Sequence, residues 1–195
     1  MKNTICIILS SFFLSCSVRY YDTLERKIEL PMGYGTFNAY ENYNVFYFQN
    51  KLTETRDKER YYPAYFNINL PKRIRHYSLG GMNQFIFNYD NKQALYIYTD
   101  IYNSSVITLD TMYTPSQVEV ESIIDKQFYS INPRGKFSIE KNKFNKRRNH
   151  LIVKRNAATI ILYNIKKGNI ETFIKSASTF TFMNNPKNIT KVKAL

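Results

Sequence analysis

The sequence predicts an α+β domain built on an antiparallel sheet with one or two helices. Three observations carry that expectation. Short strand-like runs alternate with turn residues, one amphipathic segment with helix-capping chemistry sits among them, and the composition favours pleated structure. Aromatic residues make up 16% of the chain, with 17 Tyr and 14 Phe against six Gly, and aromatic and β-branched side chains suit a half-buried pleated surface. Part of this bias follows from AT-rich coding, which enriches Lys, Asn, Ile, Tyr and Phe together. A hydrophobic content of 44% is that of a globular chain and excludes general disorder.

The elements follow in order. Tyr43–Gln49 (YNVFYFQ) is apolar nearly throughout and predicts a strand buried on both faces. Residues 51–60 alternate in charge without apolar periodicity and read as an exposed connection. Ala64–Leu70 (AYFNINL) alternates, with Tyr65, Asn67 and Asn69 on one side and Phe66, Ile68 and Leu70 on the other, and Pro71 ends it. Phe85–Tyr89 and Gln93–Asp100 flank Asp90-Asn91-Lys92, residues suited to a tight turn, and predict a hairpin. Asn103-Ser104-Ser105 marks another turn before a short strand at Val106–Leu109.

The helix opens at Thr114-Pro115-Ser116, where a first-turn proline lacks only an N–H that has no partner anyway. Ser116 and Glu119 have capping-box spacing, and Val120, Ile123, Ile124 and Phe128 recur on one face. Asn132-Pro133-Arg134-Gly135 closes it. Strands are expected again at Lys136–Lys141, Leu151–Arg155 and Thr159–Ile165. After Gly168, Ile170, Phe173, Ile174 and Ala177 share a helical face, and Ser178–Met183 reads alternatively as a strand. The order of elements is loosely similar to the PsbP/Mog1-like sandwich. That resemblance, or a mostly-β sandwich, is the alternative to the plain α+β reading.

The N-terminus carries an address. One early cation, Lys2, precedes an apolar run from Ile5 to Leu14, which is half the roughly 20 residues needed to span hydrocarbon. Polar residues follow at once, so the segment reads as a cleaved export signal. The stretch Phe12-Phe13-Leu14-Ser15-Cys16 resembles the lipobox of bacterial lipoproteins, with Phe13 where leucine is usual. The resemblance implies cleavage before Cys16 and acylation of its thiol and amino group. Cys6 leaves with the signal, so Cys16 has no disulfide partner and the domain stands without covalent staples. Residues 1–15 are then the signal, 16–35 a tether and lead-in, 36–183 a single domain and 184–195 a polar tail. A short helix at Thr23–Leu30 within the lead-in is a further expectation. Ser17 is not the aspartate that retains many lipoproteins at an inner membrane, which points to the outer membrane.

Chemistry is sparse. The two histidines, His76 and His150, have cationic neighbours and read as surface residues, and no metal or cofactor is expected. Nucleophile-elbow and metalloprotease patterns are absent from the sequence. Asp100 and Asp110 near strand ends could serve glycoside hydrolysis, but carboxylates so placed arise by chance in any domain of this size. Tyr61, Tyr62 and Tyr65 suit core packing better than sugar stacking.

Charge is the informative property. A formal charge of +13 attracts polyanions of any kind, and export makes nucleic acid an unlooked-for partner. Lys141, Lys143, Lys146, Arg147 and Arg148 form a basic run with Phe144 inside it, and Lys166 and Lys167 fall at a later turn at the same end of the sheet. These seven residues are the candidate polyanion contact. The sequence therefore predicts a non-catalytic, lipid-anchored envelope protein that contacts a membrane and an acidic surface or protein. The alternative is an envelope hydrolase acting on glycan or lipid.

Overall fold

The computed structural model describes residues 26–30, 33–50, 65–80, 84–90, 92–99, 110–128, 143–155 and 158–183. Two antiparallel sheets form a sandwich, with two short helices. The first sheet has the order β1-β2-β3-β4-β11, from Arg26–Leu30, Gly33–Ala39, Tyr43–Asn50, Phe66–Pro71 and Thr181–Phe182. The second has the order β5-β6-β7-β10-β9-β8, from His76–Gly80, Gln84–Asn88, Ala94–Thr99, Ala158–Ile165, Asn149–Arg155 and Thr111–Tyr113. Helix α1 spans Gln117–Phe128 and α2 spans Ile170–Ser178.

Burial explains the two kinds of strand pattern. In the second sheet Phe85, Phe87, Leu95, Ile97, Ile160 and Leu162 face the first sheet and α2. Their alternates Ile86, Ala94, Tyr96, Ile161 and Tyr163 join Val120 and Ile124 of α1 on the opposite face. A strand covered on both sides reads as a continuous apolar run, as β6, β7 and β10 do. The first sheet is covered on one face, and β4 alternates cleanly, with Phe66, Ile68 and Leu70 fully buried. Between the sheets, phenylalanine rings interlock: Phe48–Phe85 at 4.7 Å, Phe66–Phe85 at 4.9 Å and Phe46–Phe87 at 5.1 Å. Such pairs add roughly 0.5–1.5 kcal/mol each beyond area burial, which makes a stiff platform for the loops.

The helix cap forms as its spacing predicts. Ser116 Oγ accepts the Glu119 backbone N–H at 3.2 Å, satisfying one of the orphan donors of the first turn. The Asp90–Lys92 hairpin joins β6 and β7.

Several expectations are corrected. Arg26–Leu30 is an edge strand paired with β2, where the sequence suggested a helix over Thr23–Leu30. Lys27-Ile28-Glu29-Leu30 alternates with period two, and Pro31 disfavours helical dihedrals at the residue before it. The sheet thus reaches back into residues 16–35, assigned to the lead-in. Gly33 opens β2 because a Cβ there would lie 2.5 Å from the Gln49 carbonyl oxygen. Strand β3 is not buried on both faces: Tyr43 is exposed and Tyr47 and Gln49 are half-buried, and outward tyrosines had read as core. The segment after Gly168 is a helix followed by a two-residue strand, so both readings of it hold in part. Strand β8 went unread because three residues carry too little periodicity. Residues 51–60, 103–109, 132–141 and 184–195 lie outside the described residues.

Candidate functional site

One end of the sandwich gathers the loops that carry most of the described basic residues. The β4–β5 connection contributes Lys72, Arg73 and Arg75, the β6–β7 turn Asp90, Lys92 and Gln93, and the start of β9 Arg148. The β10–α2 junction adds Lys166 and Asn169. Together with Tyr89 these line an open cleft of about 460 Å³. Among the described lining residues are six cations and one carboxylate, Asp90.

Asp90 is held as an anion. Its Oδ1 accepts the backbone N–H groups of Lys92, at 2.6 Å, and Gln93. Its Oδ2 accepts the Gln93 side-chain amide at 3.0 Å and faces Arg148 at 3.6 Å and Lys166 at 3.5 Å. Burial works to raise its pKa. The two backbone N–H groups and the two cations outweigh that effect and hold it below the ordinary carboxylate value.

Gln93, 4% exposed, is the hub between loops. While its amide donates to Asp90, its Oε1 accepts from the Lys166 backbone N–H at 2.9 Å and from Asn169 Nδ2 at 3.0 Å. One side chain therefore ties the β6–β7 turn to the β10–α2 junction. The Arg75 N–H, donating to the Asn88 carbonyl at 2.7 Å, fixes the third wall. Arg73 sits there at φ 71°, a left-handed conformation that non-glycine residues rarely adopt.

The basic run is fastened from below by Asn164. This residue is fully buried at φ 54°, at a register shift between Leu162 and Ile165 that marks a β-bulge. Its Oδ1 accepts the Asn145 N–H at 2.8 Å and its Nδ2 donates to the Lys143 carbonyl at 3.1 Å. Its own carbonyl accepts Arg148 Nη1 at 3.1 Å. Asn145 then turns the chain, its Oδ1 accepting from Arg147 N and its carbonyl from Arg148 N. Lys143, Lys146 and Arg147 project outward while Arg148 is drawn into the cleft.

His150 corrects a sequence expectation. It is 4% exposed, not a surface residue, and stacks on Phe144 with centroids 3.7 Å apart and planes 12° off parallel. Nε2 lies 3.1 Å from the Asn145 carbonyl and Nδ1 3.3 Å from the Asn164 N–H. These partners assign the neutral tautomer protonated on Nε2. Burial lowers its pKa below 6.5, against a smaller raising effect of the Asn145 carbonyl. Phe144 and His150 also line a second cleft of about 400 Å³ with Thr114, Pro115, Lys146, Asn149, Leu151 and Ile170, and Arg148 forms part of both. His76 is half-buried, its Nε2 3.4 Å from Ser78 Oγ.

Of the seven basic residues singled out in the sequence, Arg148 and Lys166 meet at Asp90, Lys143, Lys146 and Arg147 sit on the neighbouring loop, and Lys167 is exposed beside Lys166. Lys141 and Cys16 lie outside the described residues, as do Asp100, Tyr61 and Tyr62. Tyr65 is buried, as core packing requires, and Asp110 pairs with Arg155 at 2.7 Å away from the cleft. Sequence reasoning missed Lys72, Arg73, Arg75, Asp90, Lys92 and Gln93 as one site. The visible signal was Asp90-Asn91-Lys92, legible as turn chemistry alone. Among the described residues, no group of three or more His, Cys, Asp or Glu side chains could hold a metal ion.

Comparison with protein-family models, with curated proteins and with solved structures finds no match.

Proposed function

We propose that this chain is a non-catalytic interaction module, held at a bacterial envelope membrane by a lipid on Cys16, that receives an anionic partner in the basic cleft. The observation that carries the binding half is the preponderance of cations among the described residues of one site: Lys72, Arg73, Arg75, Lys92, Arg148 and Lys166 with Asp90. Like charges brought together on rigid loops raise the local potential and attract anions. Fold energy is spent on keeping them there, through Gln93 and Asn164. The lipobox-like residues support the anchoring half, and among the described residues no helix is long and apolar enough to cross a membrane.

Two measurements test the proposal. Mass spectrometry of the native N-terminus should find diacylglyceryl and acyl groups on Cys16, and Cys16→Ser should lose acyl labelling and leave the membrane fraction or persist as precursor. Titration with pyrophosphate at constant ionic strength should raise the melting temperature, and Arg148→Ala together with Lys166→Ala should remove the rise. An unmodified Cys16 would overturn the anchor, and a melting temperature indifferent to pyrophosphate would overturn the anion site.

A further inference from the structure

The strand register fixes the end of the sandwich at which Arg26, the first described residue, lies. Arg26 pairs with Phe37, which pairs with Phe46, which pairs with Ile68. Two residues further along the same direction lie Ala39, Asn44 and Leu70, then the β2–β3 turn and Pro71. At about 3.3 Å per residue, the start of β1 is therefore within about 7 Å of the row bordering that turn. Since β1 runs away from that end, its first residue, Arg26, lies there. The other sheet turns the same way: His76, Asn88, Ala94 and Tyr163 share a row beside the Asp90 turn. Arg26 and the basic cleft thus lie at one end of the sandwich. Nine residues lie between Cys16 and Arg26, so the two are at most about 36 Å apart.

The same end carries an aromatic tip. Tyr40 and Tyr43 stack across the β2–β3 turn with centroids 5.0 Å apart and planes 16° off parallel, and Tyr43 is 39% exposed. Tyr43 pairs with Pro71, and the next residue, Lys72, lines the cleft, so tip and cleft adjoin at this end. Tyrosine rings favour the membrane–water interface, where one end is apolar and the other wet. A short leash, a cationic cleft and an amphipathic tip converge on one partner.

We propose that this end docks onto the bilayer that holds the anchor, with phosphate-bearing lipid headgroups in the cleft and Tyr40 and Tyr43 at headgroup depth. The proposal rests on the anchored-module reading and adds the ligand and the orientation. Cations near an anionic membrane surface contribute enough for about a fivefold change in partition each. Neutralising Lys72, Arg75 and Lys92 together should then lower the docked-to-undocked ratio roughly a hundredfold.

The test uses the natively lipidated protein in vesicles, either wholly phosphatidylcholine or with a third phosphatidylglycerol. After lipidation an introduced cysteine is the sole free thiol, so a fluorophore is placed at Asn42→Cys on the tip or at Thr111→Cys on the exposed far edge. Lipid-borne quenchers should extinguish the Asn42 label on anionic vesicles and spare the Thr111 label. Half-molar salt, or Lys72→Ser with Arg75→Ser and Lys92→Ser, should reduce quenching of the Asn42 label to its phosphatidylcholine level. Tyr43→Ser, which removes an exposed ring and its stack on Tyr40 but no core residue, should weaken quenching and lower the melting temperature by no more than about 6 °C. Equal quenching of both labels, or no dependence on phosphatidylglycerol, overturns the docking; with an acylated Cys16 the anchored reading still stands. Protein without acyl groups on Cys16 overturns both. A melting temperature raised by millimolar glycerol phosphate, together with an Asn42 label left unquenched on anionic vesicles, would assign the cleft to a free phosphate ester and overturn bilayer docking.

Discussion

Asn164 is where the fold and the cleft depend on one residue, and Asn164→Ala isolates that dependence. The change removes the acceptor of the Asn145 N–H and the donor to the Lys143 carbonyl. Each partner left unsatisfied costs about 1–3 kcal/mol. A Cβ-bearing residue without a local polar side chain also bears roughly 1 kcal/mol of strain in the left-handed region occupied here. If solvent reaches the loop carbonyl and N–H in the variant, the lower ends apply, giving a loss of about 3 kcal/mol. For a domain of this size that is a fall of roughly 6–12 °C in melting temperature. Asn164→Gly removes the same two hydrogen bonds but relieves the backbone, so it should melt above Asn164→Ala. Hydrogen exchange adds the local readout: the Asn145 and Arg148 amides should lose protection while β7 amides keep theirs. A melting temperature within about 2 °C of wild type, with unchanged exchange at Asn145, would refute the claim that Asn164 fastens the basic loop.

Three further outcomes are expected. Ser116→Ala should cost about 1 kcal/mol by removing the α1 cap, read by urea denaturation, without altering vesicle binding. His150→Phe should flatten the pH dependence of stability. In the wild type the folded ring titrates below 6.5 and the unfolded one near it, so acid favours the unfolded chain. Stability is thus full above about pH 7 and is lost as pH falls through the folded value, a slope that equilibrium denaturation at pH 7 and pH 5 should show shrinking in the variant. Asp90→Asn keeps an oxygen for the Lys92 and Gln93 N–H groups but removes the negative charge of Asp90, so release from anionic vesicles should move to higher salt, and the Gln93 amide, now facing an amide nitrogen, should cost about 1–3 kcal/mol of stability.

The fold was legible where one physical signal dominated. In β4 the alternation of Phe66, Ile68 and Leu70 with Asn67 and Asn69 reports a sheet covered on one face, and the Ser116–Glu119 spacing reports a cap. Strand β3 misled because Tyr43 and Tyr47 count as apolar while standing on the outer face. The edge strand β1 was obscured by its charges: Arg26, Lys27 and Glu29 are what an edge tolerates, and a window of five residues cannot separate that from an exposed helix.

The site was less legible for a reason specific to how it is built. A charge run such as Lys143–Arg148 is visible because its members are neighbours in sequence, yet its exposed members, Lys143, Lys146 and Arg147, lie outside the cleft lining. The cleft is made by residues far apart in the chain, from Lys72 to Asn169, and they meet because two sheets end at the same level. The residues that hold them there are uncharged. Gln93 reads as the first residue of a strand, and Asn164 as one polar interruption in Thr159–Ile165. Both are buried and use both ends of one amide: Gln93 joins two loops, and Asn164 holds one loop at two points. A buried amide inside an apolar strand is expensive unless both ends are satisfied. Such a residue in a run like Thr-Ile-Ile-Leu-Tyr-Asn-Ile is therefore the sequence signal that a loop is fastened beneath the surface at that point. Applied here, that signal places the basic run Lys143–Arg148 on a fixed support, where lysine and arginine counts alone would have left it a solvated turn.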